Sequence, residues 1–330
     1  MLRVSLLVGL LYFTLCPVHA VFAQFSTEEN PVSFLLTPEY PHPYETVIVS
    51  PRSSLVDLSA STVTISVNGA VVQKGSGTQG ASITVGGPGE TTTVAVAVQA
   101  PDGKNYTSKT AIRPADVALV IEPATTAHLF YQGLTLTAPE GRVRLIAIPD
   151  LRTNVTTVID PAKLVYTWKL GDRVLLDASG IGRSVLVASA PVRYRDADIT
   201  LMVTSQDSAI VAQTQTTISP VDPVVRMYSY DPLLGPDYDH AITSAFSLDG
   251  AEGTFRAVPY FFAAPPSVEW SVGGKPQGAL RDITVRPTGN GQGSASLEVR
   301  AKLAGSLQIA NNRIVLRFGE VKSPLSIFGF

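Results

Sequence analysis

The sequence predicts an all-β fold, three tandem immunoglobulin-like β-sandwich domains in an elongated array behind an N-terminal signal segment. Three observations carry this reading. One strand grammar occurs three times in the same order, no window shows a sustained helical period with caps, and turn formers (Gly 26, Pro 24) punctuate the chain throughout. The 330 residues accommodate three such units, since one sandwich takes about 100 residues.

The N-terminus reads as an export signal. Arg3 gives a positive start, Val4 to Leu15 is apolar, and Val21-Phe22-Ala23 offers small residues where a signal peptidase reads. Residues 1–23 are expected to be removed before Gln24, with cleavage after Ala20 as the alternative. The run is shorter than the roughly 20 residues of an ordinary spanning helix, and no later segment reads as a membrane span. The sole cysteine, Cys16, follows Leu15, where a lipid-attachment motif wants a small residue. The exported chain would then carry no thiol, which excludes disulfides, thiolate metal ligands and a cysteine nucleophile.

The remainder divides into units at 24–115, 116–221 and 222–330. Each opens with a β-rich run interrupted by proline (Pro51, Pro149, Pro259), which marks a strand end or an edge because proline cannot donate to a ladder. An alternating strand running into a tight turn follows: Val63-Thr64-Ile65-Ser66-Val67-Asn68-Gly69, Tyr166-Thr167-Trp168-Lys169-Leu170-Gly171-Asp172, and Val268-Glu269-Trp270-Ser271-Val272-Gly273-Gly274. A period of two turns Ile65, Trp168 and Trp270 inward as the structural core. Asn-Gly, Gly-Asp and Gly-Gly supply the positive φ of two-residue hairpins. A late hairpin closes each unit, built on Val94, Val96 and Val98, then Ile199, Leu201 and Val203, then Leu297 and Val299. The joints Ile112-Arg113-Pro114-Ala115-Asp116 and Ile218-Ser219-Pro220-Val221-Asp222 are short and contain proline, which limits bending. Pro38, Pro41 and Pro43 suggest an extended edge entering the first unit.

The Trp-x-Leu-Gly-Asp and Trp-x-Val-Gly-Gly strands resemble those of bacterial surface domains of the PKD and Ig-like type. With the Ile-x-Pro-x-Asp joints and Asp231-Pro232-Leu233-Leu234-Gly235, the exported chain is similar over nearly its whole length to a family of mostly uncharacterised secreted proteins from ultrasmall candidate-phylum bacteria. The resemblance implies export and a surface or envelope role and carries no catalytic residues across.

Little in the sequence points to catalysis. With Lys+Arg 25 against Asp+Glu 27 and no basic stripe, nothing is offered to a phosphate backbone, and no nucleic acid is expected as a partner. His42, His128 and His240 fall in three different units, and no G-x-S-x-G elbow accompanies them. Gly75-Ser76-Gly77-Thr78-Gln79-Gly80 matches a dinucleotide motif in letters, but a strand, Ile83-Thr84-Val85, follows where the chemistry needs a helix N-terminus. Asp237 and Asp239 share one chain and have no opposing carboxylate for glycoside hydrolysis.

Two sites stand as candidates. Asp231, Asp237 and Asp239 near Gly235 form a calcium candidate, with solvated turn acids as the other reading and Asp196 with Asp198, flanked by Arg193 and Arg195, as a weaker pair. In the aromatic-rich third unit, Tyr260 and Phe262 are ligand-contact candidates, because rings that point out of a core can stack on sugars. No other cofactor is indicated. The expected function is that of a non-enzymatic spacer or adhesion module at the cell surface, meeting a protein, a polysaccharide, or a pilus or envelope component. A polysaccharide-binding array using the third unit's rings is the alternative.

Overall fold

The computed structural model describes residues 30–77, 80–289 and 291–319. The expected signal segment with Cys16, part of the glycine loop at 78–79 and the tail Ser326 to Phe330 lie outside them. Among the described residues regular structure is β-strand apart from three single-turn 3-10 segments. The strands form three successive two-sheet sandwiches, each around its own apolar core.

In the first sandwich, Val32–Thr37, Thr46–Ser53 and Ala81–Thr84 face a sheet of Ala70–Ser76, Thr62–Val67, Thr92–Gln99 and Asn105–Ile112. The second sets Val185–Ser189, Arg142–Asp150 and Asp116–Pro123 against Arg173–Val174, Val165–Leu170, Ala197–Thr204 and Val211–Ile218. Its core opens with Ala115. The third sets Gly235–Ile242, Val224–Asp231, Gly253–Tyr260 and Asp282–Val285 against Ala245–Leu248, Ile309–Phe318, Gly293–Lys302, Ser267–Val272 and Lys275–Gly278.

Ile65, Trp168 and Trp270 occupy one station of the fold. Each lies on a middle strand opposite an aliphatic partner, Val96, Leu201 and Val299 respectively. Ile65 and Trp168 are 0% exposed and Trp270 2%. A buried indole N–H needs an acceptor. Trp168 Nε1 donates to the Arg183 carbonyl and Trp270 Nε1 to that of Leu280, both at 2.9 Å. The first core is wholly aliphatic at its centre, with Val47, Val49, Val94 and Val96 around Ile65. The adjoining turns have the expected conformations, with φ of 50° and 86° at Asn68 and Gly69 and of 54° and 77° at Gly273 and Gly274.

The three prolines do not end their strands. Pro51, Pro149 and Pro259 are paired on one side with Phe34, Val117 and Val225. On the other side the neighbouring strand's ladder stops at Val49, Ile146 and Arg256. Each proline therefore sits where its strand has just lost one neighbour, so the missing N–H forfeits no ladder bond. The Pro38–Pro43 segment is not an entering edge strand. It forms a bent connection after Val32–Thr37, which is itself the first described strand.

The third sandwich departs from the other two. The strand Gly235–Ile242 is added at one edge, where it pairs with Val224–Asp231, and Ala245–Leu248 crosses to the opposite sheet to run parallel to Ile309–Phe318. Of the residues read from sequence as an acidic loop, Asp231 therefore ends the strand Val224–Asp231, and Asp237 and Asp239 lie on Gly235–Ile242.

Candidate functional site

The ligand-contact candidates of the third unit, Tyr260 and Phe262, lie at its joint with the second. Tyr260, Phe261 and Phe262 follow one another at the end of Gly253–Tyr260, and strict alternation would send at least one ring out of the core. Phe261 takes φ 62°, which breaks the alternation. Phe262 enters the third core at 0% exposure, while Tyr260 (8%) and Phe261 (7%) form a satellite cluster with Tyr228 and Val258.

That cluster is roofed by the neighbouring sandwich. Between Pro123 and Arg142 the second unit carries an irregular arm, residues 124–141, that lies across the third. Thr126 N–H donates to the Phe262 carbonyl at 2.8 Å, and Phe261 N–H returns to the Thr126 carbonyl at 2.7 Å. Tyr131 packs on Tyr260 and Phe261 at centroid distances of 5.8 and 5.3 Å. His128 and Phe130 pack on Tyr238 at 4.3 and 5.0 Å. Gln308, 3% exposed, donates to the Pro139 carbonyl at 2.6 Å and accepts from Ala263 N–H at 2.9 Å. The rings proposed for ligand contact are thus packed inside the protein: Phe262 offers no face to solvent, and Tyr260 is covered by Tyr131.

The electrostatics match a closed joint. Burial, reinforced by the hydroxyl contact with Tyr228 at 2.9 Å, raises the Tyr260 phenol well above its ordinary value. Asp282 grips Arg256 through two 2.7 Å bonds and raises the guanidinium further, with a contribution from the Tyr238 hydroxyl. Arg256 also lies 4.7 Å from the Tyr230 ring. Burial, then the charges of Arg281 and Arg256, lower His128 below the ordinary histidine value, so it is held neutral. Its Nδ1 faces the Phe130 N–H at 3.4 Å, which assigns the ring proton to Nε2.

The calcium candidates are spread along the hairpin of Val224–Asp231 and Gly235–Ile242. Asp231 Oδ1 accepts from Leu233 and Leu234 N–H at 2.7 and 3.0 Å, a turn-closing role. Asp237 pairs with His240 Nδ1 at 3.0 Å and accepts from Asp239 N–H. Among the described residues no three His, Cys, Asp or Glu side chains gather as a metal set. In the weaker pair, Asp198 accepts from the Thr217 hydroxyl, while Arg193 pairs with Asp222 rather than with its near neighbours in sequence.

The joint between the first and second sandwiches is built differently. His42 Nδ1 meets Asp116 at 3.1 Å, with both side chains about half exposed. Gly89, at φ 79°, lies so close to the Asn154 backbone that a Cβ would stand 2.3 Å from its carbonyl oxygen.

The sequence reading missed the arm. Its signal is the run His128-Leu129-Phe130-Tyr131-Gln132-Gly133-Leu134-Thr135-Leu136, apolar without strand alternation and set where the first copy has only the short Pro38–Pro43 connection. None of the described helical turns is long and apolar enough to cross a membrane.

No family model and no curated protein matches the chain. Solved structures with detectable likeness include the central fibronectin-III array of RIM-binding protein, at 10% identity over 88% of this chain and 98% of that one, with a TM-score of 0.29. The fibronectin(III)-like modules of Clostridium thermocellum CbhA are 12% identical over 57% of this chain and 94% of theirs, with a TM-score of 0.26. SGBP-B of the Bacteroides ovatus mixed-linkage glucan utilization locus, solved with a mixed-linkage heptasaccharide, is 13% identical over 88% of this chain and 72% of its own, with a TM-score of 0.21. At this level the likeness carries no function across.

Proposed function

We propose that the chain is an exported, non-enzymatic structural and interaction protein of the cell surface or envelope, whose three sandwiches, at 24–115, 116–221 and 222–330, hold a binding partner at a distance. One observation carries the reading: the second and third sandwiches, each with a complete core, are joined by reciprocal backbone bonds between Thr126 and Phe261–Phe262 and by the buried Gln308. Apolar surface and buried hydrogen bonds spent on a joint serve geometry between domains, the need of a spacer. The signal-like N-terminus and the resemblance to secreted candidate-phylum proteins support the export part of the proposal. A protein or polysaccharide of the surface, or a pilus or envelope component, is the partner class that fits. The alternative of sugar stacking on Tyr260 and Phe262 loses support from their burial.

Small-angle scattering of the chain lacking residues 1–23 tests the spacer. The expected result is an elongated particle. A compact globule would overturn the proposal.

A further inference from the structure

The arm that closes the second joint leaves a cavity of about 530 Å³ against the third sandwich. Ala127 and His128 line it from the arm, and Pro265, Pro266, Leu280 and Arg281 from the third unit. Each wall is anchored. The bonds of Thr126 to Phe261 and Phe262 fix the arm, the Leu280 carbonyl is held by the Trp270 indole, and the Arg281 carbonyl accepts from Ala257 N–H. The two prolines are stiff and bring no amide hydrogen. A cavity so supported exists before any ligand arrives, and its volume and position between domains are those of small-molecule sites.

The lining chemistry is one-sided. Most of it is apolar, and Leu280 keeps 51% of its surface exposed there. The ionisable groups along it are Arg281 and His128, and no Asp or Glu is among the lining residues. Asp282, the nearest acid in sequence, is committed to Arg256. Arg281 therefore offers a guanidinium to the cavity with no carboxylate lining the opposite wall. The neutral His128 ring can donate from Nε2 without adding a second cation.

We propose that this cavity binds a small apolar molecule bearing a single carboxylate, with the hydrocarbon body against Pro265, Pro266 and Leu280 and the carboxylate on Arg281. Both sandwiches line the cavity, so an occupant bridges them and tightens the joint.

Titration of the full chain with decanoate, followed by amide chemical shifts, tests it, with 1-decanol as the uncharged control. Saturable shifts confined to the neighbourhood of Ala127, His128, Leu280 and Arg281 are expected for decanoate. Arg281→Gln, an exposed substitution that leaves the core untouched, should weaken decanoate roughly tenfold, the loss expected for one charge-assisted hydrogen bond, and leave decanol unaffected. A second variant, Leu280→Asp, places an acid in the cavity and should abolish decanoate binding while the thermal melt is retained. The proposal is overturned if decanoate fails to saturate below about 1 mM. It is equally overturned if the shifts map elsewhere, or if decanoate and decanol bind alike and ignore Arg281→Gln.

Discussion

Removing the indole of Trp168 tests whether the sandwiches hold separate cores. The side chain is fully buried, packs within the second core and sits opposite Leu201. Truncation to alanine leaves a cavity, at a cost of about 3–5 kcal/mol for a buried tryptophan. It also takes the donor from the Arg183 carbonyl, and an acceptor left dry costs about 1–3 kcal/mol. The two contributions overlap, because water entering the cavity would satisfy the carbonyl, so about 5 kcal/mol is the working figure. For a domain of this size each kcal/mol moves the midpoint by roughly 4–8 °C, so the second unit should melt some 20 °C or more lower. Calorimetry of Trp168→Ala should show one transition displaced. The chain has two tryptophans, so the variant retains Trp270 as a fluorescence reporter of the third core, whose transition should move much less. Unchanged calorimetry would place Trp168 outside the core. A Trp270 transition falling in step would mean that the second and third units share one core.

The remaining predictions concern the joints and the acidic hairpin. Gly89→Ala meets the Asn154 backbone and forces a side chain to φ 79°, so the first joint should loosen at a cost of about 1–2 kcal/mol; scattering and a melt matching the parent chain would refute the contact. His128 faces Tyr238 and Phe130 and feels Arg256, itself paired with Asp282, and Arg281. Its proton affinity is lower in the folded than in the unfolded chain, so the unfolded chain binds more protons as pH falls through the ordinary histidine range. The joint's stability is full above that range and declines below it, levelling off once the folded ring is also protonated. Amide exchange at Thr126, corrected for its intrinsic pH dependence, should accelerate on acidification, and His128→Phe should remove that acceleration; equal pH profiles in both proteins would refute it. Calcium titration should leave the melting temperature unmoved, since Asp231 and Asp237 are engaged within the hairpin; a saturable rise would restore the calcium loop.

The core stations were legible in the sequence because alternation around Ile65, Trp168 and Trp270 is a local signal, and burying every second side chain leaves one sensible register. The prolines were read as marking a strand end or an edge, and the edge reading holds; a sequence window cannot choose between the two because it does not show that a strand has lost one neighbour and kept the other. That distinction depends on the lengths of Ala81–Thr84, Val185–Ser189 and Asp282–Val285, which are set far away in the chain. Tyr260 and Phe262 were singled out as rings with a chance of facing solvent. Their burial depends on the positive φ of Phe261 and on an arm from another unit, and neither leaves a trace within the Tyr-Phe-Phe run itself. The arm was missed because its apolar residues follow neither a period of two nor one of 3.6, as expected of a segment whose partners lie in the next domain.

The two joints differ in kind, and that difference decides where the array can bend. The first relies on a half-exposed His42–Asp116 pair, and exposed pairs are worth about 0–1 kcal/mol. A glycine contact with Asn154 adds steric fit but little cohesion. The second buries Gln308 and the faces of Tyr260 and Phe261. Opening it would expose those rings and leave the Pro139, Phe262 and Thr126 carbonyls to find water. Thermal motion therefore has far less to overcome at the first joint, and a hinge in this chain belongs beside Asp116. Domain truncation should show the same asymmetry. Without its neighbour the third sandwich would present the Tyr260–Phe261 cluster to solvent and should self-associate, whereas the first sandwich loses a half-exposed ion pair and a glycine contact at its joint and should stay monomeric. A monomeric third sandwich beside an associating first would reverse the assignment.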